Sequence, residues 1–145
     1  MKNVNFDSPS VQSYLGILQG VINRMALNSS GCKTWCITLV SAIIVIIADK
    51  GKPEFIWISV VPIALFWLLD AYYLGMERRF RDVYDRFIKK LHAEEAKIDD
   101  IYIVALGAGA MKTFCSTASA FISVSVLPFY GLLAFMLFVV KRWVL

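Results

Sequence analysis

The segment from Phe55 to Leu91 has one helical pattern but two solvents. Up to Leu69 it carries no charge, reading Phe-Ile-Trp-Ile-Ser-Val-Val-Pro-Ile-Ala-Leu-Phe-Trp-Leu-Leu. From Asp70 it becomes Asp-Ala-Tyr-Tyr-Leu-Gly-Met-Glu-Arg-Arg-Phe-Arg and continues charged to Lys90. An uncharged run that ends in tyrosines and a basic cluster is the pattern of a membrane span leaving the bilayer on its cytoplasmic side. The remaining chain has to be arranged around a helix with one end in lipid and the other in water.

Composition agrees. Of 145 residues, 59% are hydrophobic and 18% charged, against about a quarter charged and under half apolar in soluble domains. The mean hydropathy is +0.65. The net charge of +4 is concentrated in Arg78, Arg79, Arg81, Arg86, Lys89, Lys90 and Lys97, but Glu77, Asp82, Asp85, Glu94 and Glu95 are interleaved. Orientation by the positive-inside rule accounts for this cluster better than nucleic-acid binding, and no nucleic acid is expected to be contacted directly. No cleavable signal peptide is visible, because the first apolar block begins only after about thirty residues. Cys32 and Cys36 lie one helical turn apart and read as small packing residues, since His92 is the only histidine and is remote from them.

The fold expected is all-α: a multi-span helical membrane protein with cytoplasmic amphipathic helices. Residues 1–31 form a cytoplasmic amphipathic helix, with Ser8 able to cap it and Pro9 at its first position. Its apolar stripe runs through Val11, Tyr14, Leu15, Leu18, Val21, Ile22 and Met25, and Asn28-Ser-Ser-Gly31 reads as the turn that ends it. Residues 32–75 form a transmembrane hairpin, with a short first span at 34–48, a polar turn at Asp49–Glu54 and a second span kinked by Pro62. Residues 76–112 continue as a cytoplasmic helix and linker, and residues 113–145 contain a C-terminal span centred on 119–140. The segment 101–111 is too short to cross and is read as packed on protein, with a re-entrant segment or a fourth crossing as alternatives.

With three spans and the N-terminus inside, eleven of the 15 lysines and arginines lie inside and four outside. Lys141 and Arg142 are the discordant pair, placed outside although basic residues favour the cytoplasm.

No enzyme signature is present: no phosphate-cradling glycine loop, nucleophile elbow or His-Glu-x-x-His. No cofactor or metal is expected. The polar residues inside the apolar blocks are the candidate pore or gating positions: Thr38 and Ser41 (with Thr34) in the first span, Ser59 and Asp70 in the second, and Ser116, Ser119 and Ser123 in the last. Small hydroxyl residues also let membrane helices pack closely, so structural contact is the competing reading. Asp70 needs a partner or water at that depth, either as an ion-pathway group or in a salt bridge to Lys33 or Lys112. Three crossings enclose no pore alone, so channel activity implies a homo-oligomer. Phe80, Val83, Tyr84, Phe87, Ile88 and Leu91 form a cytoplasmic apolar stripe that must pack on something, whether the N-terminal helix, another subunit or a protein partner. Four-residue pairs on the other side, Glu77 with Arg81 among them, add a few tenths of a kcal/mol each.

The block Tyr14-Leu-x-x-Leu-Gln19, Ile22-x-Arg-Met-Ala-x-Asn-Ser29, Lys33-x-Trp35 and Phe66-Trp-x-Leu-Asp70-Ala-Tyr-Tyr-x-x-x-Glu77-Arg-x-Phe-Arg resembles small bacterial membrane proteins that accompany anti-phage defence systems, such as membrane subunits of retron and Kiwa types. The resemblance covers roughly the first ninety residues. It implies an oligomeric inner-membrane effector or sensor, acting by membrane perturbation or by signalling to a cytoplasmic partner from the same operon. The alternative is a constitutive small channel, a holin-like protein or a transporter subunit. Membrane lipid is a contact on either reading.

Overall fold

A computed structural model of the chain describes residues 7–104 and 117–143. Helix α1 (Pro9–Lys50) is followed by a 3-10 turn at Pro53–Ser59, helix α2 (Val60–His92), a short 3-10 turn at Ile98–Asp100, a helical turn at 117–121 and helix α3 (Leu127–Trp143). The described residues are helical or connecting, with no strand.

The first difference from the sequence reading is α1 itself. It runs unbroken for 42 residues, about 63 Å, straight through Asn28–Gly31. The buried positions explain this: Val11, Tyr14, Leu18, Ile22, Ser29, Cys32, Cys36, Val40 and Ile47 form one inward stripe. Ser29 lies seven residues from both Ile22 and Cys36, the spacing that keeps one face turned toward a partner helix. Serine, asparagine and glycine each cost up to about 1 kcal/mol in a helix interior, which continuous packing on both sides outweighs. Ser8 occupies the N-cap without a side-chain cap bond; its hydroxyl lies 3.1 Å from that of Ser10.

The turn after α1 follows its sequence. Gly51 adopts φ 61°, the left-handed conformation that ends helices, and its N–H reaches Ala48 O at 3.3 Å. The chain then winds as a 3-10 turn before α2 begins at Val60. Pro62 therefore lies in the first turn of α2, where its missing N–H is tolerated, rather than in the middle of a kinked span.

The last apolar segment also differs from expectation. No single helix covers 119–140; the chain breaks around Ser123 and α3 starts at Leu127. Ser123 O accepts from the N–H groups of Val126 (3.0 Å) and Leu127 (2.9 Å). Pro128 then sits at the second position of the new helix. Proline disfavours helical geometry in the residue before it and suits a helix start.

Two cores result. Toward the Gly51 turn, Cys36, Val40 and Ile47 of α1 pack with Ile56, Ile63, Val126, Tyr130 and Leu137. At the other end, Val11, Tyr14 and Leu18 of α1 pack with Val83, Phe87 and Leu91 of α2 and with Ala96. The Tyr14 and Phe87 rings meet edge-to-face at 4.9 Å, and the Tyr14 hydroxyl donates to Ile103 O at 2.9 Å. Burial, and then the charge of Asp100, push the Tyr14 phenol up, which keeps it a donor.

Lys90 Nζ lies 2.8 Å from Asp100 Oδ1, and the Lys97 N–H donates to Oδ2 at 3.1 Å. The hydrogen bond from Lys90 and then that from Lys97 hold the Asp100 carboxyl below its usual value. A depressed carboxyl contributes stability above the unfolded pKa, about 3.9, and loses it as pH falls through the folded value. Residues 97–104 are thus expected to exchange amide hydrogens faster below about pH 4, relative to the α1–α2 core. In Asp100→Asn that pH dependence should vanish.

Between the two cores, Ala71 and Gly75 put small side chains on α2. A Cβ at Gly75 would lie 3.1 Å from Thr117 N and 3.2 Å from Thr117 Cα, so a larger residue there would push the Thr117 backbone away by a few tenths of an ångström.

The outer surface is apolar around the Gly51 end. Trp35, Val45 and Ile46 of α1, Val61, Leu65 and Leu68 of α2, and Leu132, Phe135 and Phe138 of α3 are all exposed. Among the described residues, two helices are long and apolar enough to cross a membrane by length and composition, at Pro9–Lys50 and Glu54–His92, with 22% and 28% of their most apolar windows buried.

Candidate functional site

The site lies where charge meets the apolar layer. Along α1 the uncharged run ends at Lys33, and along α2 it ends at Asp70; the antiparallel pairing brings them together. Lys33 Nζ is 2.6 Å from Asp70 Oδ2. Ser29, one turn before Lys33, donates its hydroxyl to Asp70 Oδ1 and accepts from Lys33 Nζ at 3.4 Å. The three groups close a triangle in which Ser29 serves Asp70 Oδ1 and the buried Oδ2 meets the Lys33 ammonium as an ion pair without a geometrically formed hydrogen bond among the described residues.

Burial is uneven across the pair. The Asp70 side chain has no exposure, whereas Lys33 is 20% exposed. The Lys33 ammonium thus meets a fully buried carboxylate from a side chain that keeps partial exposure. Breaking such a pair leaves an uncompensated charge, so the two helices are locked in register there.

Helix α3 packs one turn from Asp70. The Tyr130 hydroxyl donates to Phe66 O at 3.1 Å, and its ring stacks on Trp67 at 6.1 Å. Phe121 meets Trp67 edge-on at 5.7 Å. Further along α2, Arg78 Nη2 donates to Ser123 Oγ at 2.8 Å, which ties the charged side of the boundary to the break before α3.

The candidate polar positions separate into different environments. Asp70 is in the ion pair, with Lys33 as its partner; Lys112 and Ser116 lie outside the described residues. Thr38 and Ser41 face outward, and the Thr38 hydroxyl is bound to Thr34 O at 2.9 Å. Ser59 is fully buried, and its hydroxyl, like Trp67 Nε1, has no hydrogen-bond partner among the described residues. Ser119 is exposed and Ser123 half-buried. Thus Thr38 and Ser41 share an outer face of α1, while Ser59 and Asp70 turn inward on α2, and a single chain gathers no common polar lining from them.

The stripe from Phe80 to Leu91 is occupied within the chain. Val83, Phe87 and Leu91 are buried against the N-terminal part of α1, and Phe80, Tyr84 and Ile88 are half-buried beside them. Arg81 pairs with Glu77 at 2.8 Å, whereas Arg78 reaches to Ser123 rather than along its own helix.

Ser29 and Tyr130 were not among the sequence candidates. Asn28–Gly31 reads locally as a turn, yet Ser29, four residues before Lys33 and seven before Cys36, lies on the inward stripe. Among the described residues, no group of three or more His, Cys, Asp or Glu side chains gathers to hold a metal. Compared with family models, curated proteins and solved structures, the chain shows no match.

Proposed function

We propose that the chain is an integral protein of the bacterial inner membrane, with its N-terminus and the Tyr14–Phe87 end in the cytoplasm and the Gly51 turn outside. The observation that carries this reading is the Lys33–Asp70 pair. It stands where two unbroken helices pass from an exposed apolar surface to a charged, self-packed end. From Lys33 to Lys50 the rise is about 26 Å, close to the roughly 30 Å of a bilayer's hydrocarbon core. Helix α3 supplies the third crossing. Monomeric soluble proteins rarely leave so much contiguous apolar surface uncovered.

Within that frame we infer an effector or sensor in anti-phage defence, which rests on the sequence resemblance in the first ninety residues. The cytoplasmic end offers a surface on which a signal or partner protein can act, and α1 and α2 carry its position into the membrane. Several copies are needed for any pore, and the outward-facing Thr38 and Ser41 supply a polar face for contacts between copies.

The test is a membrane-potential dye in cells expressing the full chain with its operon neighbours, with and without phage. Depolarisation only on infection is the expected result. Leakage without infection favours a constitutive channel, and no response in either condition removes the effector reading. A cysteine introduced beside Gly51 should react with an impermeant thiol reagent from outside; reaction only after lysis overturns the orientation.

A further inference from the structure

We propose that an anionic phospholipid binds between α2 and α3 at the Gly51 end, one acyl chain in an apolar crevice and its phosphate on Lys141 and Arg142. The inference rests on the membrane reading above and goes beyond it by assigning a ligand class to a site.

The crevice has a volume of about 420 Å³ and is walled by Ile56, Val60, Ile63, Ala134, Leu137 and Phe138. That volume falls within the range of small-molecule sites. Among the described residues, the only charged groups on it are the two cations at one end, Lys141 and Arg142, and no acidic side chain lines it. Lys141 Nζ is held 4.4 Å above the Trp57 ring centroid. This cation–π contact keeps the ammonium at the mouth of the crevice.

An apolar slot ending in two cations is complementary to a ligand with an apolar tail and an anionic head. The placement fits as well. In the three-span orientation the crevice opens at the outer interface, so its walls lie at acyl-chain depth and its mouth at headgroup depth. Lys141 and Arg142 oppose the positive-inside rule, and an anionic headgroup gives them a counter-charge on that side. A second copy seated symmetrically on the crevice would bring two such basic pairs together, and that repulsion disfavours it.

The experiment uses the full chain extracted from membranes in a mild detergent, titrated with phosphatidylglycerol and phosphatidylcholine of matched acyl chains, with bound lipid counted by native mass spectrometry. The wild type should retain phosphatidylglycerol about thirtyfold better, from about fivefold per basic residue near the phosphate. The double variant Lys141→Gln/Arg142→Gln, altered only at exposed positions, should hold both lipids equally. Ala134→Phe should lose both by filling the slot. Equal retention by the wild type overturns the proposal, as does a preference that survives the double substitution, or a crevice occupied by a second copy. A chain recovered only in the soluble fraction overturns the membrane reading and this site with it; a membrane-bound chain without lipid preference overturns this site alone.

Discussion

Lys33→Met should destabilise the folded chain by about 3–5 kcal/mol, because it leaves a buried carboxylate without its counter-charge. Asp70 has no exposure of its own, so it has no route to water that keeps α1 and α2 in register. Asp70→Asn should be milder, about 1–2 kcal/mol. The stranded lysine is 20% exposed and can extend its stem toward the interface. Replacing both, as Lys33→Met/Asp70→Leu, should return stability to within about 1 kcal/mol of the wild type, since apolar groups of similar volume often replace a buried pair without loss. Thermal unfolding of the detergent-solubilised protein, followed by circular dichroism, reads all three. Equal and small effects of the two single substitutions would show that the pair does not hold the helices.

The second large effect is expected at the opposite end. Tyr14→Ala should cost about 3–5 kcal/mol, the range for deleting a buried aromatic side chain. It removes the ring from between Phe87 and Tyr102 and the donor from Ile103 O. The loss should be local, since the two cores are separate clusters. Limited proteolysis is the suitable measurement: cleavage within residues 93–104 should accelerate strongly, with the α1–α2 segment near Gly51 still protected. Tyr14→Phe keeps the ring and should lose only about 1 kcal/mol. An unchanged cleavage rate in Tyr14→Ala would mean that this end is held by something other than the aromatic contact.

Much of this architecture was legible in the residues because the relevant signals are local. The charge boundary at Asp70, the Gly51 turn and the stripe from Phe80 to Leu91 follow from charge patterning, backbone preference and helical period. What was misread depends on partners distant in sequence. Asn28–Gly31 carries turn-forming residues, yet its neighbours on both sides bury one continuous face, so packing overrode local preference. The break before α3 had a visible cause in Pro128, hidden within an uncharged run that suggested a single span. The Asp70–Lys33 pairing was one of two alternatives, because sequence gives the depth of a charge but not which helix lies opposite. Ser29 joined the pair only once the antiparallel register was known. The crevice by Lys141 is a property of two helix ends meeting, which no single segment encodes.

The unbroken length of α1 gives the ion pair a mechanical meaning. With Lys33 as the fulcrum, α1 has one arm of about 26 Å to Lys50 and a longer one of about 36 Å to Pro9. A tilt of roughly 5° about that point would carry the Pro9 end sideways by about 3 Å and the Lys50 end by about 2 Å in the opposite sense. A displacement of that size exceeds what a packed core absorbs without changing its contacts. Any rigid tilt of α1 about the buried charge pair would therefore disturb the Tyr14 core more than the core beside Gly51.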